Sequence, residues 1–157
     1  RFGKIGSIPQ LEPHDIIHQV ETMMEYIRKR ATGKVQFALK NNAISPLIIP
    51  VSPPLFDWVI ENLLKNALDA IYGKGNITVT INDTGKQVTI DVSDTGKGIA
   101  RQNITNVFKP GFTTKKRGWG LGLSLSKRII DQYHKGQLFV KQSELGKGTT
   151  FRIVLHK

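Results

Sequence analysis

Between Ile77 and Val92 the apolar residues fall at every second position on both sides of a turn signal. Ile77, Val79 and Ile81 alternate with Thr78 and Thr80, Asp83-Thr84-Gly85-Lys86 reverses the chain, and Val88, Ile90 and Val92 resume the alternation. A period of two puts all six side chains on one face of a hairpin. A sheet with one apolar face has to be covered by another layer. The chain supplies that cover in three segments with helical spacing. Ile16, Ile17, Val20, Met23, Met24 and Ile27 follow Asp15 as N-cap, and Gly33 closes this helix after Arg28, Lys29 and Arg30. Ser52 caps a second helix with Pro53 and Pro54 in its first turn, an apolar face of Leu55, Val59, Ile60, Leu63, Leu64, Ala67 and Ile71, and Gly73 and Gly75 as its stop. A third runs from Leu121 to Tyr133 and ends at Gly136.

Further strands are expected at Val35–Leu39, at Leu47–Ile49 (ended by Pro50), at Leu138–Val140 and at Phe151–Leu155, the last two joined by a turn over Glu144–Gly148. Helices and mostly antiparallel strands therefore segregate. The expected class is α+β: a two-layer α/β sandwich with a mixed, mostly antiparallel sheet and its helices on one face. At 157 residues this is one domain. Residues 1–13 read as a linker or the tail of an upstream region, and residues 14–157 as the domain.

Absence of cysteine rules out disulfides, thiolate catalysis and Cys-ligated zinc. No apolar run approaches the roughly 20 residues of a membrane span, and no signal peptide is visible. The chain starts with Arg1 and reads as a piece of a longer protein. It is expected in the cytoplasm, with any membrane anchor of the parent lying upstream. Lys plus Arg is 23 against 12 Asp plus Glu, a net charge of +11, which calls for an anionic partner. The basic residues are scattered and densest at Lys109–Arg117, with no basic helix stripe carrying interleaved aromatics, so nucleic acid is not the expected partner.

The glycine-rich loops narrow the anion. None of the six Gly-Lys pairs is followed by Ser or Thr, which excludes a P-loop. Gly118, Gly120 and Gly122 lack the dinucleotide spacing. They do sit at a helix start, where backbone N–H groups and the helix dipole favour phosphate, although a tight turn alone would also explain them. Asn62 and Asn66 are four residues apart and share one side of the second helix. Amide oxygens there can ligate a hard cation without adding charge beside phosphates, though such pairs are usually just solvated. Asp94 leaves a buried-looking strand ahead of Gly96 and Gly98, where a carboxylate can accept from an exocyclic amine or can simply close a turn.

Taken in order, five blocks resemble one family. They are Glu61-Asn62-Leu63-Leu64-Lys65-Asn66-Ala67, Asp94-Thr95-Gly96-Lys97-Gly98-Ile99, Phe108-Lys109-Pro110-Gly111-Phe112-Thr113-Thr114-Lys115, Gly118-Trp119-Gly120-Leu121-Gly122-Leu123 and Gly146-Lys147-Gly148-Thr149-Thr150-Phe151. They are similar to the N, first G, F, second G and third G boxes of the catalytic, ATP-binding domain of bacterial two-component sensor histidine kinases, a Bergerat-fold domain. The resemblance spans about residues 14–156.

The resemblance implies ATP and Mg²⁺ as cofactors, bound between a helix and a lid. By it, Asn66 would ligate Mg²⁺ and Asn62 would sit beside the phosphates. Asp94 would accept from the adenine amino group, with Gly96, Gly98 and Ile99 around the base and Thr149 acting near it through water. Phe108 to Gly120 would form the lid, with Phe108, Thr114, Lys115 and Gly118 among the nucleotide-binding residues. Gly120, Leu121 and Gly122 would give backbone N–H groups to the phosphates, with Leu123 also in the nucleotide site, and Asn62, Asn66 and Lys115 would carry the chemistry. The lid's own composition points the same way, because Lys109, Lys115, Lys116 and Arg117 lie between residues 108 and 120 with no acid among them.

Asp69 stands where many members carry a basic residue, which puts one phosphate contact in doubt. Position 62 is Asn where related hydrolytic ATPases place a Glu base, and Glu61 lies about 100° round the helix. That favours transfer to a protein over hydrolysis. The implied partners are a dimerisation, histidine-phosphotransfer domain of the same protein and a response regulator. The piece itself is expected to be monomeric and its parent a homodimer. The alternative is a nucleotide-gated ATPase or conformational module of the same superfamily. None of His14, His18, His134 and His156 is expected to be the acceptor, and the last three read as ordinary surface or boundary residues.

Overall fold

A computed structural model describes residues 9–31, 33–112 and 122–157. The elements are β1 (Glu12–Asp15), α1 (Ile16–Arg30), β2 (Lys34–Asn41), β3 (Ile48–Val51), α2 (Pro53–Ala70), β4 (Lys74–Asp83), β5 (Gln87–Asp94), α3 (Gly122–Arg128), β6 (Gln137–Glu144) and β7 (Gly148–His156), with short 3₁₀ turns at Arg101–Asn103 and Asn106–Phe108. The main sheet has the order β2-β4-β5-β7-β6. Its β2–β4 pair is parallel and the other three are antiparallel, a mixed and mostly antiparallel sheet as expected. Ile77, Val79, Ile81, Val88, Ile90, Val92, Leu138, Phe151, Ile153 and Leu155 share one buried cluster with the apolar faces of α1 and α2. The two-layer sandwich is thus the observed architecture. On the opposite sheet face Arg152 holds the buried Asp91 through two bonds of 2.7 and 2.8 Å.

The helix caps show what local rules capture and what they miss. Asp15 caps α1 as expected, its Oδ1 accepting from the Ile17 N–H at 3.1 Å. The same oxygen also takes the Leu47 N–H at 3.2 Å, which ties the helix start to the neighbouring ribbon. Ser52 occupies the N-cap position of α2, but its side chain makes no capping bond. Instead the Ser52 N–H donates to Nε2 of His134 at 3.0 Å, while Nδ1 of His134 donates to the Ile129 carbonyl at 3.0 Å. His134 is therefore not a surface or boundary residue. It is 5% exposed and bolts the start of α2 to the end of the third helix. That helix finishes in a π turn over Ile129–Tyr133, where the His134 backbone N–H also reaches the Ile129 carbonyl.

Three boundaries differ from expectation. Glu12 and Pro13, in the stretch read as linker, belong to β1, which pairs with β3 in a two-stranded ribbon. Pro50 lies inside β3 instead of ending it, directly opposite Pro13. Neither proline has an N–H to donate, and antiparallel pairs alternate between bonded and non-bonded positions, so facing prolines fit at a non-bonded one. Gly75 lies within β4 and does not stop α2, which ends at Ala70. Among the described residues no helix is long and apolar enough to cross a membrane.

Candidate functional site

The site residues gather along α2, at the end of the sheet where β5 runs out and β7 begins. Asn62 and Asn66 are half-buried on α2. The Asn62 Nδ2 donates to Oγ of the fully buried Ser126 on α3 at 3.1 Å. Gly122, the first described residue of α3, presses on the same amide, since a Cβ there would lie 2.6 Å from Asn62 Oδ1. A side chain at position 122 would have to push the Asn62 amide aside, out of its bond to Ser126. Leu123 packs at the edge of the core nearby.

At the other end of α2, Asp94 closes β5. Strand alternation aims it to the helix-facing side, and it pairs in register with Thr149 of β7. Asp94 is 8% exposed, Thr149 5%. Asp94 Oδ1 accepts from the Gly96 N–H at 2.8 Å. Burial pushes the Asp94 carboxyl above its ordinary value, and the backbone N–H groups of Gly96 and Thr149 pull it back down. Ala70 and Asn62, eight residues apart, are separated by about 12 Å along the helix axis, with Asn66 midway.

Gly96 and Gly98 turn out to face protein backbone. A Cβ on Gly96 would lie 2.4 Å from the Ala70 carbonyl oxygen, and one on Gly98 (φ +77°) would lie 2.2 Å from that of Glu144. The loop is also laced by backbone bonds, Lys97 N–H to the Ala70 carbonyl and Gly146 N–H to the Lys97 carbonyl, both 2.8 Å. These glycines let the loop be clamped between α2 and the β6–β7 hairpin, which holds Asp94 in place.

Ile99 follows the clamp with its side chain against the core, its N–H donating to Ser143 Oγ at 2.8 Å. Phe108 stands edge-on to Phe151, ring centroids 6.0 Å apart, with the Lys127 ammonium 5.2 Å from its centroid. Lys127 in turn donates to the Leu138 carbonyl at 2.8 Å and pairs with Asp131 at 2.9 Å. Thr114, Lys115, Gly118, Gly120 and Leu121, with Lys116 and Arg117, lie outside the described residues. Glu61 is engaged by Lys65 at 2.7 Å on the same helix.

Three residues that the structure brings into this region or its support, Ser126, Ser143 and His134, do not stand out in the sequence. Ser143 has a specific reason. A β-bulge between Val140 and Gln142 shifts the β6 register, so Ser143 pairs with Thr149. Strict alternation from Leu138 and Val140 would put it on the opposite face.

A buried carboxylate at a sheet end, two amides along the adjoining helix and a glycine-permitted helix start define a nucleotide-binding sandwich. Residues 52–157 match the family of histidine kinase-, DNA gyrase B- and HSP90-like ATPases, and the chain belongs to that family. Such membership implies ATP binding. The chain is 43% identical over 107 residues to sensor histidine kinase ZraS of Escherichia coli (strain K12), covering 68% of this chain and 23% of that protein. It is 43% identical over 127 residues to sporulation kinase E of Bacillus subtilis (strain 168), covering 76% of this chain and 17% of that protein. It thus spans less than a quarter of the length of these curated relatives. The solved catalytic domain of histidine kinase ThkA superposes with a TM-score of 0.81 at 26% identity, covering 94% of this chain and 96% of that one. ThkA is also solved in complex with response regulator protein TrrA, with a TM-score of 0.78 at 24% identity, covering 94% of this chain and 42% of that one. The chain is homologous to the ATPase domain of sensor histidine kinases.

Proposed function

We propose that this chain binds Mg-ATP and serves as the catalytic domain of a sensor histidine kinase, directing the γ-phosphate to a histidine on a dimerisation domain outside the chain, for relay to a response-regulator aspartate. The observation that carries the reading is Asp94, a buried carboxylate clamped by the Gly96 N–H at one end of the helix face that bears Asn62 and Asn66. ATP supplies the transferable phosphoryl group. The residues fit it: Asp94 offers an acceptor to the adenine amine, Thr149 lies beside it, and Asn66 offers an amide oxygen to Mg²⁺ midway between Ala70 and Asn62 on α2. Asn62 stands further along, held by Ser126 against the start of α3, where the phosphates are expected. Lys115 is proposed to meet the phosphates from the lid.

At position 62, where the hydrolytic relatives place their water-activating base, this chain has none. Position 62 is an amide, which is no base at neutral pH, and Glu61 is held by Lys65. The arrangement therefore favours transfer over hydrolysis, and no observation favours the nucleotide-gated module over the kinase. The ThkA–TrrA complex supports a response regulator as the downstream partner.

Calorimetric titration with ADP and a non-hydrolysable ATP analogue, with and without Mg²⁺, tests the reading. Saturable binding that GTP does not match is expected; equal affinity for GTP, or no binding, would overturn it. Asn66→Ala should bind the analogue equally well with and without Mg²⁺. A retained Mg²⁺ dependence in that variant would remove Asn66 from the metal site.

A further inference from the structure

We propose that Ser143 is a specificity-positioning residue. It commits the Thr149 hydroxyl proton and so makes Thr149 an acceptor that favours a 6-amino purine over a 6-oxo purine. The inference rests on the nucleotide-binding reading above and adds a residue to it.

The β6 bulge brings Ser143 opposite Thr149. There Ser143 Oγ has three polar neighbours: the Ile99 N–H at 2.8 Å, the Gly148 carbonyl oxygen at 3.2 Å and Thr149 Oγ1 at 2.7 Å. A hydroxyl has one proton and two lone pairs. The Ile99 N–H can only donate and the Gly148 carbonyl can only accept. One wiring satisfies all three neighbours. Ser143 donates to Gly148, and its lone pairs take the Ile99 N–H and the Thr149 O–H. In the reverse wiring Ser143 would donate to Thr149, leaving two oxygens 3.2 Å apart with no proton between them. Thr149 is buried and Ser143 and Gly148 are half-buried, and the wiring that pairs every group is the one the geometry favours.

Thr149 then has no proton left for a ligand and presents lone pairs only. Its registered neighbour is Asp94, whose ionised carboxylate also only accepts. Two acceptors at the sheet end suit the N–H groups of an exocyclic amine or of a water that serves it. A ligand carbonyl would meet lone pairs from both. Bulges are a recurrent means of re-aiming a side chain beside an active site, and this one brings the serine into place.

Calorimetry on the whole chain with ADP and inosine diphosphate isolates the effect, because the two ligands differ only around C6 of the base. In Ser143→Ala the freed Thr149 hydroxyl can turn and donate to the 6-oxo group. ADP affinity should fall about threefold to tenfold, inosine diphosphate affinity should hold or rise, and the ratio between them should shrink by about tenfold. Ser143→Thr, which keeps the oxygen, should restore the ratio. A ratio unchanged in Ser143→Ala overturns the proposal, whether both ligands weaken equally, as a purely structural role would have it, or neither does. A wild-type chain that binds no ADP overturns the nucleotide reading itself, and this inference with it; a wild-type chain that binds ADP, with an unchanged ratio in the variant, overturns only the role of Ser143.

Discussion

Asp94→Asn is expected to lose adenine-nucleotide affinity by about a hundredfold or more while keeping its fold. The substitution is nearly isosteric. An asparagine oxygen can still accept from the Gly96 N–H, the bond that Oδ1 makes now. What changes is the other end of the side chain, where an NH₂ would replace a carboxylate oxygen and meet both the Thr149 N–H and the base amine donor to donor. The stability effect has the opposite sign. Burial raises the Asp94 carboxyl above its ordinary value of 3.8, so the folded state holds a proton more tightly than the unfolded state. Its stabilising contribution is complete below that unfolded value and is lost as pH rises through the folded one. At neutral pH the ionised group weighs against folding, and Asn removes that burden. The variant should melt at or above the wild-type temperature near pH 7, with the difference shrinking in acid. In the wild type, nucleotide affinity should begin to fall, as pH is lowered, at a higher pH than an ordinary aspartate would give. Calorimetry and thermal melts at two pH values check all of this. Unchanged ATP affinity, or a melting temperature lowered as far as by a core cavity, would remove Asp94 from the site.

His134→Leu should have the larger effect on stability, a loss of about 2–3 kcal/mol. The Ile129 carbonyl would keep the backbone N–H of residue 134 as a partner. The Ser52 N–H, buried at the start of α2, would be left without its acceptor. For a chain this size the loss lowers the melting temperature by about 5–10 °C. Because Nε2 accepts, the ring must be neutral, and burial holds its pKa below the ordinary 6.5, with the bond to the Ile129 carbonyl pulling the other way. Above 6.5 both states are neutral and the contribution is complete. As pH falls below it, the unfolded chain takes a proton that the folded one refuses, and stability declines. The gap between wild type and variant should therefore narrow between about pH 7.5 and about pH 5.5. Chemical unfolding at those two pH values reads it directly. A gap that stays constant would mean that the imidazole contributes shape and not its acceptor.

Asp94 could be read from the chain because a strand of period two, an acid and two closely spaced glycines lie within a few residues of one another. Asn62 and Asn66 were legible for the same reason, their shared helix side following from a spacing of four. His134 was not, since its partner Ser52 is 82 residues away. The ribbon of β1 and β3 was missed because each strand contains a proline, and only their alignment opposite each other makes that harmless. Gly96 and Gly98 were expected to open space for a base. In the structure the space they open is taken by the Ala70 and Glu144 carbonyls, contacts set by how α2 and the β6–β7 hairpin converge.

By itself the sequence determined the layers of this protein. Periods of two and 3.6 state which side of each element is apolar, and one apolar sheet face with three apolar helix stripes leaves a two-layer sandwich as the arrangement that buries them all. The order of five short blocks determined the family. Tertiary structure decided the wiring: which buried donor faces which acceptor, which glycine admits a neighbouring backbone, and on which face Ser143 emerges after a one-residue bulge. Periodicity is a property of neighbours along the chain and survives any packing. A hydrogen bond across the core depends on the approach of two distant backbones to within a few tenths of an ångström, and no local pattern encodes that distance.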